Sequence, residues 1–220
     1  MQLWLHGHFK MLDFSIRYLS ILKTKLDGLN LTNILDPDEF YHKQILDSIN
    51  PYLQSTLFQQ SIKESGLVVD IGFGGGFPIL PLAKLLPDVK FVGVESKRKK
   101  VDAVKLIAED LGLKNVKLVH SRLEDFYFDR RATVTLKAVG TVKDYLSIMR
   151  GTSKLDVFFY KGPNFLELEQ EGVKAVSKVW QLLENQEISV PGTQQRFLVS
   201  FSSESVPRGT KTLVNLSDFL

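Results

Sequence analysis

Hydrophobic residues return at helical spacing in the first sixty residues of the chain. Between residues 9 and 26 an apolar side chain recurs every three or four positions, which predicts an amphipathic helix. A second helix is predicted to start at Asp36-Pro37. Asp36 can cap the N-terminus of this helix, and Pro37 suits its first position. We expect it to end before Pro51, and a third helix to cover residues 53–62. These helices predict an N-terminal helical cap over residues 1–64.

From residue 65 onward short apolar runs alternate with helical patterns. We predict strands over residues 67–71, 90–95, 116–120, 132–138 and 155–160, and helices over residues 78–86, 97–111, 141–149 and 164–179. Such alternation is typical of a mostly parallel sheet with helices on both faces. Apolar runs at 187–190 and 196–201, separated by Pro191-Gly192, predict a closing antiparallel hairpin. The prediction is an α/β fold with a Rossmann-like, seven-stranded sheet in residues 65–220, forming one structural unit with the cap.

A glycine-rich turn follows the first predicted strand. The run from Gly72 to Gly76 holds four glycines, and the turn lies between a buried strand and a helical pattern. Glycine allows positive φ and close approach of a ligand to the backbone, and open α/β folds bind ligands where parallel strands end. The dinucleotide fingerprint needs a glycine where Phe77 stands, and no P-loop lysine follows. An ordinary tight turn is the alternative, although four glycines carry an entropic cost that such a turn does not need.

The turn resembles motif I of class I S-adenosylmethionine-dependent methyltransferases. That motif is an acidic residue followed by spaced glycines, here Asp70 and then Gly72-x-Gly74-x-Gly76. A parallel sheet that ends in a hairpin is also the architecture of that class. The resemblance implies S-adenosyl-L-methionine as cofactor, with contacts from the turn at Asp70, Gly72, Phe73, Gly74, Gly76 and Phe77.

Glu95 ends the second predicted strand, roughly two dozen residues after the first glycine. A carboxylate at this place can accept hydrogen bonds from both hydroxyl groups of a ribose. Both adenosylmethionine and NAD carry that diol, so Glu95 does not distinguish between them. A solvated charge beside a helix start is the alternative.

A basic run, Lys97-Arg98-Lys99-Lys100, opens the next predicted helix. Four cations in a first turn oppose the helix dipole, at a cost of a few tenths of a kcal/mol each. A nearby anion would compensate them, and an RNA phosphate backbone is the obvious candidate. The alternative is a solvated basic face supported by Glu95 and Asp102.

Two further strand ends supply candidate residues. After the third strand, Leu123 could pack on an adenine ring, backbone around Glu124 could meet the adenine edge, and Arg122 could reach a carboxylate or the substrate. At the end of the fourth strand, Lys137 is a candidate to hold the methionine carboxylate or a nucleotide phosphate, unless it only snorkels from the strand end. The run 135–140 contains no Asn-Pro-Pro-Tyr sequence of the kind that receives an exocyclic amino group.

Composition narrows the chemistry further. The chain has 220 residues, 44% of them hydrophobic, with a net charge of +3 and no cysteine. Without a thiolate, carbon-5 methylation of pyrimidines through a covalent adduct is excluded, as are disulfides and thiolate zinc sites. A ring nitrogen such as guanine N7 has a lone pair and no proton, so its methylation needs positioning and no general base. We therefore assign no general base, and Lys137 and Arg122 as orienting residues.

These features together resemble the bacterial 16S ribosomal RNA guanine-N7 methyltransferases, also called the glucose-inhibited division protein B family. The resemblance extends from about Leu29 through Gly162. It rests on Asn30-Leu31-Thr32, Ile45-Leu46-Asp47-Ser48, Asp70-Ile71-Gly72 with Gly74 and Gly76-Phe77-Pro78, Ser121-Arg122-Leu123-Glu124, and Tyr160-Lys161-Gly162. Two positions depart from the family: Lys137 stands where its Ser-Arg-Ala-Phe run has arginine, which loses the bidentate fork, and Gln44 replaces a histidine.

The resemblance implies methylation of guanine N7 in 16S ribosomal RNA or the small ribosomal subunit. It implies cofactor contacts at the glycine turn, at Leu123 and Glu124, and at the residue ending the fourth strand. An RNA-facing surface would comprise Lys97, Arg98, Lys99, Lys100, Arg122 and Lys161.

Expectations about the setting follow from what the sequence lacks. There is no apolar run near 18 residues, no signal-peptide pattern and no metal spacing among four histidines. We expect a cytoplasmic monomer without membrane contact or metal. Two alternatives stay open: a catalytically weakened RNA-binding protein on a methyltransferase fold, and a nucleotide-dependent oxidoreductase, which the glycine spacing disfavours.

Overall fold

A computed structural model describes residues 2–205 and 214–220 of the chain. Its strands, in chain order, are β1 Leu67–Ile71, β2 Lys90–Glu95, β3 Val116–His120, β4 Phe126–Phe128, β5 Ala132–Lys137, β6 Arg150–Gly151, β7 Leu155–Lys161, β8 Gln181–Ile188, β9 Arg196–Ser203 and β10 Val214–Asn215. Seven of them form the main sheet in the order β3-β2-β1-β5-β7-β9-β8. The first five in that order are parallel, whereas β9 and β8 join antiparallel. Strand order reverses between β1 and β5, where open α/β sheets bind ligands.

Helices cover both faces of the main sheet. They are α1 Gln2–Lys25, α2 Pro37–Phe40, α3 Asp47–Gln54, α4 Thr56–Ser65, α5 Ile79–Leu85, α6 Arg98–Asp110, α7 Val142–Leu146 and α8 Phe165–Val176, with a π-helix, Tyr41–Leu46, between α2 and α3. Short 3₁₀ turns cover Leu123–Asp125 and Leu216–Phe219. None of the helices in the described part of the chain is long and apolar enough to cross a membrane.

The central strand β1 contributes to two separate hydrophobic cores. Val68 packs in the core under α1, α3 and α6, whereas Leu67, Val69 and Ile71 pack in the core on the opposite face. Successive side chains of a strand point to opposite faces of its sheet. Because both faces are covered, every residue of β1 is buried, which explains why its sequence is apolar at all positions but Asp70.

The N-terminal helix is fastened to the glycine turn by one aromatic side chain. The Tyr18 hydroxyl donates a hydrogen bond to the Gly75 carbonyl, and the Tyr18 ring stacks on Phe77 with 5.1 Å between centroids. The ring of Phe40 lies edge-on to Phe77 at 5.7 Å. The cap therefore packs directly on the turn that the sequence singles out.

The main predictions of strand position are confirmed, since β1, β2 and β3 begin and end at the predicted residues. The expected helix end before Pro51 is wrong, because α3 continues through the proline to Gln54. A helix interior normally excludes proline, so packing of α3 on the domain outweighs the local penalty. The division at residue 64 stays a prediction.

The predicted hairpin is present but longer than the sequence indicates. Strand β8 begins at Gln181, six residues before its predicted start, and α8 ends at Val176. Most of β8 is an exposed edge, so its side chains show no clear alternation of apolar and polar residues. A second, three-stranded sheet of β10, β4 and β6 was not predicted, because strands of two or three residues leave no periodic pattern.

Gly93 provides a test of the packing between β2 and the turn. A Cβ at this position would lie 2.7 Å from the side chains of both Phe73 and Leu118, so Gly93→Ala should lower the free energy of unfolding by about 1–3 kcal/mol. Gly162 has nothing within 4 Å of the same position, and Gly162→Ala should change it by less than about 0.5 kcal/mol. Urea unfolding followed by circular dichroism measures both, and equal effects would contradict the packing described.

Candidate functional site

A cleft opens where β1, β2, β3 and β5 end. Its volume is about 690 Å³, within the range of small-molecule sites. It is lined by Ile71, Gly72, Val94, Glu95, Ser96, Lys97, Lys100, Ser121, Arg122, Leu123, Glu124, Ala138, Val139, Gly140, Asp144, Tyr145 and Ile148. Seven residues predicted from the sequence as cofactor or RNA contacts are therefore brought together: Gly72, Glu95, Lys97, Lys100, Arg122, Leu123 and Glu124.

Gly72, at the start of the glycine turn, lies in the floor of the cleft. Gly72 and Gly76 have φ values of +70° and +90°, a region that side chains other than glycine rarely adopt. A Cβ on Gly72 would lie 3.1 Å from Val139, and one on Gly76 would lie 2.5 Å from the Tyr18 hydroxyl. The turn is therefore held from both sides, with room for backbone only.

The other predicted residues of the turn lie beneath the cleft and do not line it. The Phe73 side chain is buried against Gly93, and Phe77 packs on Tyr18. Gly74 is turned toward Glu95, to which its N–H donates. These residues shape the turn from below, and direct contact with a cofactor stays a prediction for each.

Glu95 is fixed at the rim between the turn and α6. One carboxylate oxygen accepts from the Gly74 N–H at 3.2 Å. The other accepts from the Lys97 N–H at 2.9 Å and the Ser96 hydroxyl at 3.3 Å. A carboxylate held at three points presents its remaining lone pairs in a defined direction. That geometry suits the two hydroxyl groups of a ribose.

The turn after β3 forms the wall beyond Glu95. Leu123 is buried and lines the cleft, and Glu124 follows it in the 3₁₀ turn. The Arg122 side chain is exposed at the cleft mouth. His120 lies outside the lining, with Nε2 3.0 Å from the Ser96 carbonyl, so its contact is structural.

Asp70 is fully buried below the turn and carries an unsatisfied atom. Burial raises the pKa of Asp70 to about 7, against the lowering effects of hydrogen bonds from the Thr135 hydroxyl and the Ile79 N–H and of the charge on Lys137. The Thr135 hydroxyl donates to Oδ1 at 2.8 Å, whereas Oδ2 has no hydrogen-bond partner among the described residues. Asp70 does not line the cleft, so its predicted contact with the cofactor stays a prediction. The fit of S-adenosylmethionine rests on the backbone-only space at Gly72 and on the carboxylate of Glu95 at the rim.

Lys137 faces the cap. Its Nζ lies 3.0 Å from Asp47 Oδ2, and Asp47 Oδ1 accepts from Arg196 Nε at 2.9 Å. Lys137 Nζ also lies 5.9 Å from the centroid of the Phe77 ring. One buried carboxylate thus holds two cations from β5 and β9. The predicted contact between Lys137 and the methionine carboxylate stays a prediction, and Lys137 is outside the lining of the cleft.

Lys161 is enclosed by contacts within the chain. Only 10% of the side chain is exposed, and its Nζ lies 2.7 Å from Glu169 Oε1. It also donates to the Gly140 carbonyl at 2.9 Å. Its predicted RNA contact stays a prediction, and the contacts in the structure are with β7, α8 and the loop before α7.

The structure adds cleft residues that received no role from the sequence. Asp144 and Tyr145 enter the cleft from α7. The pattern Thr141-x-x-Asp144 forms a capping box, a sequence signal for a helix start that could have located them. Val139 and Gly140 bear no polar side chain, so nothing in the sequence distinguishes them as cleft residues.

A second groove adjoins the cleft. It has a volume of about 410 Å³ and is lined by Leu29, Asn30 and Leu31 on one side and by the basic run 97–100 on the other. Arg98 pairs with Asp102 at 3.7 Å, with both side chains more than half exposed, and such surface pairs contribute little. Lys97, Arg98 and Lys99 are exposed, whereas Lys100 is half-buried, with its Nζ beside Gly74. No group of three or more metal-ligating side chains occurs among residues 2–205 and 214–220.

Comparison with known proteins gives a consistent result. A model of the family described as rRNA small subunit methyltransferase G (GidB) matches residues 12–199. Ribosomal RNA small subunit methyltransferase G of Lactobacillus helveticus is 34% identical over 191 residues, which is 83% of this chain and 78% of that protein. The protein of the same name from Streptococcus pyogenes is 31% identical over 196 residues, 82% of this chain and 78% of that protein.

The fold is also that of solved methyltransferases. The structure of magnesium protoporphyrin IX methyltransferase from Synechocystis, with bound S-adenosylmethionine, matches with a TM-score of 0.52 at 10% identity, covering 86% of this chain and 97% of that chain. The predicted fold class, an S-adenosylmethionine-dependent methyltransferase fold with a mostly parallel seven-stranded sheet, is confirmed.

The raised pKa of Asp70 predicts a pH-dependent stability. Because the folded state binds the proton more tightly than the unfolded chain, this group's contribution is present at pH 4 and is lost as the pH rises toward 7. Asp70→Asn cannot titrate, so wild type should lose stability relative to the variant by up to about 4 kcal/mol over that range. Urea unfolding at a series of pH values measures the difference. Asp88→Asn, at an exposed position, controls for the loss of a negative charge. If the difference in stability between wild type and Asp70→Asn did not change with pH, the assignment would be contradicted.

Proposed function

Because the chain belongs to the rRNA small subunit methyltransferase G family, we propose that it transfers the methyl group of S-adenosyl-L-methionine to N7 of a guanine in 16S ribosomal RNA. The family predicted from the sequence is confirmed by the match over residues 12–199. The observation that carries the proposal is the junction of the glycine-floored cleft with a cationic rim. Lys97 and Lys100 line both the cleft and the adjoining groove.

The cofactor site is built from three strand ends. Backbone at Gly72 leaves room for the amino-acid part, the carboxylate of Glu95 would accept from the ribose hydroxyls, and Leu123 and Glu124 would enclose the adenine. When bound, S-adenosylmethionine supplies an electrophilic methyl group on a sulfonium sulfur.

Methylation of guanine N7 needs no side chain that acts as a general base. Guanine N7 has a lone pair and no proton, so the new nitrogen–carbon bond forms as the sulfur–carbon bond breaks, and no proton has to be removed. The chain contributes alignment of the acceptor nitrogen and exclusion of water. Arg122, exposed at the mouth of the cleft, would orient the substrate. Lys137 would be the second orienting residue and would act from the side of the helical cap.

The basic rim would hold the RNA backbone. Lys97, Arg98 and Lys99 are exposed at the start of α6, and half-buried Lys100 lines the same groove, where phosphates could neutralise them. A guanine within a duplex stacks between its neighbours, so the target base would have to be unpaired or extruded to enter the cleft. The substrate is then 16S ribosomal RNA or the small ribosomal subunit.

The setting of the reaction belongs to the same proposal. The chain would act in the cytoplasm as a monomer without metal, with the helical cap of residues 1–64 and the domain of residues 65–220 working as one unit. The contacts of Tyr18 and Phe40 with the glycine turn support the part of this proposal in which the cap and the domain work as one unit.

Cofactor binding and methyl transfer test the activity. In calorimetry the protein should bind S-adenosylmethionine and not NAD, and Gly72→Val should abolish binding because its side chain would meet Val139. Gly162→Ala is the matched control. With labelled cofactor and 16S ribosomal RNA, 7-methylguanosine should appear in nuclease digests. Binding of NAD would favour an oxidoreductase, and RNA binding without transfer would favour a catalytically weakened binding protein.

Salt dependence tests the basic rim. Arg98 and Lys99 lie outside the lining of the cofactor cleft, so the double change Arg98→Gln with Lys99→Gln should leave cofactor affinity unchanged. The slope of log affinity for RNA against log salt should become shallower by about 1.4–1.8, since each phosphate contact contributes about 0.7–0.9. The exposed pair Lys105→Gln with Lys114→Gln removes the same charge elsewhere. An equal change of slope in both double variants would rule out a specific rim.

A further inference from the structure

One wall of the cofactor cleft is a short loop between β5 and α7. Ala138, Val139 and Gly140 all line the cleft, and Val139 lies over Gly72. Ala138 has a φ of +55°, a left-handed conformation that is strained for a residue with a Cβ. Such a conformation persists only where surrounding contacts impose it, so the loop needs an external support.

The support lies behind the loop, on the side away from the cleft. Lys161, at the end of β7, donates from Nζ to the Gly140 carbonyl at 2.9 Å. The same ammonium lies 2.7 Å from Glu169 Oε1 of α8, and Glu169 Oε2 accepts from the Val142 N–H at 2.6 Å. The ion pair thus binds the backbone on both sides of Thr141. Two secondary-structure elements are joined to the loop through this one pair.

The pair is enclosed, unlike its neighbour on the same helix. The Lys161 and Glu169 side chains are 10% and 13% exposed, and the Lys161 ammonium lies 5.3 Å and 5.8 Å from the ring centroids of Phe159 and Phe165. By contrast, Lys174 and Glu171 form a pair at 2.9 Å that is 63% and 86% exposed. Burying charges costs solvation, so an enclosed pair is a weak source of net stability and is better explained by the geometry it imposes.

We propose that Lys161 and Glu169 are positioning residues, which hold the loop of residues 138–142 in the conformation that completes the cofactor cleft. The pair touches neither cofactor nor RNA and acts through the Gly140 carbonyl and the Val142 N–H. This inference rests on the proposed function, since it takes the cleft to hold S-adenosylmethionine. It replaces the RNA contact that the sequence suggested for Lys161.

Removing either end of the pair should weaken cofactor binding selectively. We expect Lys161→Met and Glu169→Gln to raise the Kd and the KM for S-adenosylmethionine about tenfold, as on loss of one well-placed hydrogen bond to a charged group. The KM for RNA should stay within about twofold, because the basic rim is untouched. Lys161→Arg keeps the charge and a donor, and should restore most of the cofactor affinity.

The double variant shows whether the two residues act as a unit. If they do, Lys161→Met with Glu169→Gln should raise the Kd no more than the more damaging single change does, since coupled residues are not additive. The matched control is the exposed pair, where Lys174→Met and Glu171→Gln should leave the Kd within about twofold. Circular dichroism melting identifies any variant that fails to fold, and Glu169→Gln, which keeps an acceptor for the Val142 N–H, is the variant to use if Lys161→Met does.

Three results would overturn the inference. The first is a Kd for S-adenosylmethionine that is unchanged in folded Lys161→Met and Glu169→Gln. The second is a salt slope for RNA binding that becomes shallower by about 0.7–0.9 in Lys161→Met, which would return Lys161 to the RNA surface. The third is equal weakening by the exposed pair. Wild-type protein that does not bind S-adenosylmethionine would instead refute the proposed function, so the two failures are distinguishable.

Discussion

The packing of backbone against backbone at the glycine turn is the constraint on which the rest of the structure depends. A Cβ on Gly75 would lie 2.5 Å from the Leu31 carbonyl oxygen, and one on Gly76 would lie 2.5 Å from the Tyr18 hydroxyl. The helical cap therefore reaches the turn at distances that only glycine permits. Burial raises the pKa of Tyr18 well above its ordinary value, so its hydroxyl stays protonated and keeps its hydrogen bond to Gly75. The cap is in this way part of the packing that shapes the turn beneath the cleft.

Three of the four buried acidic side chains in the described part of the chain, Asp47, Asp70 and Glu95, lie around that turn, whereas Asp156 lies toward the other end of the sheet. Asp70 lies beneath it, Asp47 bridges Lys137 and Arg196 beside it, and the pair of Lys161 and Glu169 lies behind the neighbouring loop. Charged groups are expensive to bury and are kept where they are paired or where they serve a site. Each of these groups contacts an element that borders the cleft. Their clustering therefore distinguishes this end of the sheet electrostatically.

The sheet topology explains why the carboxylate of Glu95 and the basic run of α6 lie at the same edge of the sheet. The parallel strands direct their carboxyl ends, and so Gly72, Glu95 and Leu123, to one edge of the sheet. Helix α6 starts at the same edge because it follows β2 directly, and its first turn carries the basic run. The basic run and the carboxylate of Glu95 are thus neighbours in the fold because they are neighbours in the chain. In the proposed function this places the cofactor and the RNA side by side.

The sequence by itself determined the features that depend on local patterns. Apolar runs bounded by turn residues located β1, β2 and β3, and the glycines marked the turn. The glycines indicated the methyltransferase class, and further runs such as Ile45-Leu46-Asp47-Ser48 indicated the family. Only the tertiary structure decided the partners of Lys137 and Lys161, the passage of α3 through Pro51, and the long edge strand β8. The hydrogen bond between Asp47 and Arg196 joins residues 149 positions apart. A periodic pattern of apolar and polar residues cannot predict such a contact. A lysine in a sequence carries the same charge whether it faces solvent or a buried carboxylate, and only the packing of distant elements settles which of the two it meets.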